Sequence, residues 1–131
     1  DKTWLPVASD YRTVNVKAEE GQPDSLLNWY KRLIAMRRTD PTLRDGNQHM
    51  LDQDSRSVLS YVREGVDGRP SIVVALNFTA QPQTITLDLK DTGIKATTVR
   101  TLMTSDPSLE KTNSLDKIVL APFASWIGSV R

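Results

Sequence analysis

The spacing of apolar side chains changes period once along the 131 residues, near residue 47, and that change divides the chain. Residues 1–22 carry only scattered apolar positions, Trp4, Leu5, Val7, Tyr11, Val14 and Val16, separated by Pro6 and closed off by Gly21 and Pro23. They predict an extended connector that lies on another surface. A helix over about residues 25–38 is predicted next, capped by Asp24 or Ser25. Thr39-Asp40-Pro41 ends it, because the residue before a proline disfavours the α region. On a helical wheel Leu26, Leu27, Trp29, Tyr30, Leu33, Ile34 and Met36 fill about half the circumference. A helix resting on one surface needs a stripe only a little wider than roughly 100°. This helix is therefore expected between two layers. Arg37 falls inside the apolar arc, and a buried arginine there requires a carboxylate or backbone carbonyls beside it.

Beyond residue 47 the pattern is that of strands: Arg56–Glu64, Ser71–Phe78, Gln83–Leu89, Ala96–Met103, Lys117–Leu120 and Phe123–Val130, with a short first strand at His49–Gln53. In Thr84–Leu89 the residues Ile85, Leu87 and Leu89 alternate with Thr84, Thr86 and Asp88, as on a sheet with one wet face. Ile72–Leu76 is apolar throughout, as a central strand covered on both faces would be. Residues 104–116, rich in Ser, Thr, Asp and Asn, form the longest predicted loop. The expected fold is mainly β: an antiparallel β-sandwich of six to seven strands preceded by an extended connector and one α-helix.

Composition narrows the function classes. With 38% hydrophobic and 25% charged residues the chain is an ordinary globular one, long enough to bury roughly two-thirds of its unfolded surface. The net charge is +1, and the basic cluster Lys31-Arg32 with Arg37-Arg38 is too small for a nucleic-acid footprint. No apolar run reaches the length of a membrane span. There is no cysteine, hence no disulfide framework and no thiolate chemistry, which fits a cytosolic or bacterial setting. The first residues are neither a signal peptide nor an initiator Met, so the chain is expected to begin inside something larger.

No reaction centre is legible. A glycosidase needs two carboxylates facing across a cleft, yet Asp24 reads as a cap, Asp40 as a helix stop, and Asp45, Asp67 and Asp91 as turn residues. His49 is the sole histidine and is expected at a surface or rim. It cannot form a histidine metal site unaided. Asp52 and Asp54 lack the glycine and distal glutamate of a calcium loop, and no phosphate-cradling glycine motif occurs. Neither metal nor cofactor is expected. Asn77-Phe78-Thr79 matches the glycosylation acceptor pattern, but Asn77 ends a buried strand and is expected to bond to backbone. Among the aromatics, Trp29, Tyr30 and Trp126 are expected in the core. Trp4 has nothing of its own to pack against: it either fills a pocket on another domain or borders a cleft there, the one weak candidate for substrate contact.

Taken in order, Trp4-Leu5-Pro6-Val7, Tyr11, Val14-Asn15-Val16, Pro23–Leu27 and Tyr30–Arg37 resemble the C-terminal region of the α-amylase family of glycoside hydrolases. The likeness is to its α-glucosidase branch, the oligo-α-glucosidases, and runs on through Pro41, Leu43, Gly46 and Leu76-Asn77-Phe78. It implies that residues 1–46 are the tail of a (β/α)₈ barrel, with the helix its last, and that 47–131 form a C-terminal β-sandwich domain. The family's three catalytic carboxylates lie on earlier barrel strands, so none maps onto this chain. The implied role is that of a structural, non-catalytic accessory domain whose partner is the catalytic barrel. Two alternatives are a carbohydrate-binding module for α-glucan or oligosaccharide, drawing on Tyr61, Phe78, Phe123 and Trp126, or a subunit completing a barrel supplied by another chain. Without the barrel, the exposed helix face is expected to drive self-association.

Overall fold

The computed structural model describes residues 3–109 and 111–130 and divides into two compact units, Asp1–Asp40 and Pro41–Arg131.

In the first unit, two helices are tied together by polar side chains. Helix α1, Val16–Glu20, is capped by Asn15, whose side chain accepts from the Ala18 amide. This short helix replaces the extended connector expected for residues 1–22. Five residues are too few to display a helical period, and only the cap marks it. Helix α2, Leu26–Thr39, starts at Ser25 and ends at Asp40. Ser25, not Asp24, supplies the capping oxygen, to the Asn28 amide at 3.3 Å. A second cap comes from outside the helix, because the Glu19 carboxylate accepts from the Leu27 amide at 2.8 Å. Asn28 binds the chain back by donating to the carbonyls of Glu19, Glu20 and Gln22. Arg32 donates to the Pro23 carbonyl at 2.6 Å and lies over the Trp29 ring.

No residue of α2 is fully buried: Leu26, Tyr30 and Ile34 are exposed, and Trp29 is only half-buried. Arg37 is exposed as well, so the burial on which its expected pairing rested does not occur.

The second unit begins with helix α3, Pro41–Asp45, which the sequence pattern did not reveal. Its Thr42 is fully buried and hydrogen-bonds to Pro70 O and the Val66 amide, while Leu43 is buried beside it. Among the described residues eight strands follow: β1 Gln48–Met50, β2 Val58–Arg63, β3 Ile72–Asn77, β4 Gln83–Ile85, β5 Thr98–Thr104, β6 Thr112–Ser114, β7 Ile118–Leu120 and β8 Ser125–Val130. Six form an antiparallel sheet in the order β1-β2-β3-β8-β5-β6, and β4 pairs with β7 as a second layer. This is the mainly β, sandwich-like architecture expected.

Register explains the core. Val58, Val62, Val73, Ala75, Trp126 and Val130 share one face of the large sheet, and meet Leu87, Leu89, Leu115, Ile118 and Leu120 of the facing layer. The other face of β3, with Ile72 and Val74, is also buried, as the unbroken apolar run predicted. The expected strand Gln83–Leu89 forms a ladder only through Ile85. Its alternation nevertheless continues, with Leu87 and Leu89 buried and Thr86 and Asp88 exposed. Strand β6 lies inside the expected loop 104–116. At the sheet edge it buries no apolar face, which removes the alternation that would have announced it.

Trp126 is the largest fully buried side chain. Its indole N–H donates to Thr101 Oγ1 at 3.0 Å, beside a register shift between Thr101 and Met103. The ring crosses the site of Gly128, where a Cβ would stand 2.5 Å from Trp126 Cζ2 and 2.6 Å from Val99 Cγ2. Gly128→Ala is therefore expected to destabilise the protein by about 1–3 kcal/mol, the usual cost of overpacking. Urea unfolding checks this as a lowered midpoint at unchanged slope; an unchanged midpoint would mean the ring moves aside freely.

Candidate functional site

Several acidic residues are held by local tasks. Asp40 caps α2, Asp45 pairs with Arg44 at 2.8 Å, and Asp52 accepts from the Ser55 amide. Asp67 occupies a left-handed turn position, φ 54°, ahead of Gly68. Asp91 lies in a 3₁₀ turn, Lys90–Thr92, closed by left-handed Gly93. Among the described residues no group of three His, Asp or Glu is placed to hold a metal.

Three surface grooves each contain a single carboxylate. One, about 460 Å³, is lined by Pro82, Leu109, Val119 and Pro122 with Asp106 and Lys117. Asp106 is itself engaged by the backbone and hydroxyl of Ser108. The other two, about 420 and 400 Å³, lie within the first unit and include Glu20 and Glu19. The Glu20 carboxylate is 3.6 Å from Lys31, and Glu19 caps α2. None of these three grooves presents the facing pair that glycoside hydrolysis requires.

One side-chain cluster with shifted protonation sits on the β1–β2 rim. His49 Nε2 is 2.6 Å from Glu64 Oε1, and Asn47 donates to Glu64 Oε2 at 3.0 Å. Those bonds, that of Asn47 foremost, hold the Glu64 carboxyl below its ordinary value of 4.5. His49 is thus the rim residue expected, although its glutamate partner, fifteen residues away, was not legible. A carboxylate stabilised in the folded state contributes stability above its unfolded pKa and loses it as the pH falls through the lower folded value. The stability difference between wild type and Glu64→Gln should therefore be largest above pH 4.5 and close in stronger acid. Unfolding curves across that range check it, and a gap that persists at the acid end would be inconsistent with the linkage.

Of the aromatics considered for sugar stacking, Trp126 is buried, Tyr61 is half-buried, and only Phe78 and Phe123 stand out, at 63% and 68% exposure. Trp4 is 93% exposed. The fold gathers neither Trp4 nor any carboxylate into a reaction centre.

The α-amylase catalytic-domain family matches residues 1–46. Over 128 residues the chain is 27% identical to an oligo-1,6-glucosidase of Parageobacillus thermoglucosidasius, covering 98% of this chain and 22% of that protein. The trehalulose synthase MutB of Pseudomonas mesoacidophila superposes with a TM-score of 0.83 at 30% identity, over 99% of this chain and 22% of its own. A shorter stretch of 77 residues is 44% identical to the amino acid transporter heavy chain SLC3A1 of Mus musculus, 58% of this chain and 11% of that one. The chain thus spans between 11% and 22% of the length of these relatives.

A segment matching the α-amylase catalytic-domain family, followed by an antiparallel sandwich, defines the class: in sequence and fold the chain is like the C-terminal region of α-amylase-family glycoside hydrolases. Within that family its likeness is to the α-glucosidase branch.

Proposed function

We propose that this chain is the accessory C-terminal part of an α-glucosidase-type retaining glycoside hydrolase, structural and non-catalytic by itself. In this reading residues 1–46 complete a (β/α)₈ barrel and residues 47–131 form the sandwich domain that follows it. The observation that carries it is the surface of the first unit. Trp4, Leu5, Val7, Val14, Val16, Leu26, Tyr30 and Ile34 are all at least half exposed, and α2 buries no residue fully despite its apolar arc. So much exposed apolar surface supports an interaction face, and a catalytic barrel is the partner that the match over residues 1–46 favours. Trp4, the most exposed of the set, then serves as an anchor on the barrel or borders its cleft.

The reading requires that the chain alone does not turn over substrate. Incubated with an aryl α-glucoside, it is expected to release aglycone no faster than buffer; measurable hydrolysis would sink the non-catalytic role. The uncovered face should also find a substitute partner. Sedimentation is expected to show concentration-dependent self-association, and a monomer at all concentrations would contradict an interaction face.

A further inference from the structure

The acceptor pattern Asn77-Phe78-Thr79 is built into the fold in a way that bears on its chemistry. Asn77 ends β3 and is only 3% exposed. Its Nδ2 donates to the carbonyls of Gln81 and Ala121, both at 2.8 Å, and lies 3.5 Å from that of Leu120. Its Oδ1 accepts from the Thr79 amide at 2.9 Å and from Thr79 Oγ1 at 2.8 Å. Its own amide N–H donates to the Ala124 carbonyl. One side chain thus ties the turn after β3 to the turn before β8. In the second of these turns Phe123 adopts a left-handed conformation, φ 55°, and donates its amide to Thr79 O.

We infer that Asn77 is a modification site open only in the unfolded chain, so that an N-linked glycan and the native fold exclude each other. The transfer would form a bond from Asn77 Nδ2 to the anomeric carbon of a lipid-pyrophosphate-linked oligosaccharide. The amide would lose one proton, and the lipid pyrophosphate would leave with the electrons of the broken C–O bond. In the folded chain Nδ2 faces three carbonyls and no solvent. A glycan there would remove a donor from a buried network, leave a carbonyl unsatisfied, and force a polar chain between two packed layers. In a glycosylating compartment, modification and folding therefore compete for the same atom. This inference is independent of the catalytic or accessory role of the chain.

The test uses the 131-residue chain with purified oligosaccharyltransferase and its lipid-linked donor. The folded chain is compared with Gly128→Val, in which a side chain would overlap Trp126, at a temperature where circular dichroism shows that variant unfolded and the wild type folded, and with Gly128→Val/Asn77→Gln as the site control. The unfolded variant should gain a glycan that the double variant does not. The folded chain should react more slowly by at least about a hundredfold, as burial in a cooperative unit requires. Equal modification of folded and unfolded chains overturns the inference, and so does failure of the unfolded variant to react at all. A glycosylated chain retaining the native circular dichroism and melting temperature also overturns it.

Discussion

Strand β3 has no face to spare, and the arrangement of the second unit follows from that. Ile72, Val73, Val74 and Ala75 are consecutive and all buried, so one sheet with one wet side cannot accommodate them. The face bearing Val73 and Ala75 is met by the layer that includes the β4–β7 pair. β3 takes a central place between β2 and β8, its backbone bonded on both sides. Trp126 and Gly128 on β8 lie opposite Ala75 and Val73, which puts the largest ring of the core beside a small side chain, Ala75. Bulk on β8 is thus matched by its absence at Ala75 and Gly128, in the alternation of large and small that dense cores need.

Most of this was legible because apolar periodicity and burial are two readings of one constraint. The alternation through Leu87 and Leu89 correctly reported which side chains are buried, and misreported the ladder, because side-chain burial and backbone pairing part company where the partner strand turns away at Asp116. Elements that bury little announced themselves poorly. Helix α1 depends on Asn15, and β6 on its pairing with β5. Helix α3 was hidden because Pro41 was read as a stop for α2 when it also opens the next helix. Arg37 shows the opposite failure: the wheel placed it in an apolar arc, but nothing in the sequence could say whether this chain covers that arc.

Asp40, Asp45, Asp67 and Asp91 were read as structural from their neighbours, and each has a cap, a turn or a local pair in the fold. Asp24 was the exception, since Ser25 does the capping. What the sequence could not reach were partners distant along the chain, such as Glu64 for His49 or Thr101 for Trp126. A single sequence orders residues along a line, and these contacts depend on strand register.

The strand order has a further consequence at the margins of the large sheet. Its two outer strands, β1 and β6, are three residues each, whereas the inner four have six or seven. A long bare edge is a template on which another polypeptide can add a strand, and brief edges are one way proteins deny that template. Here the long strands are all interior, and the borders offer a visiting backbone little more than one turn of the pleat. The sandwich is therefore guarded against edge-to-edge growth.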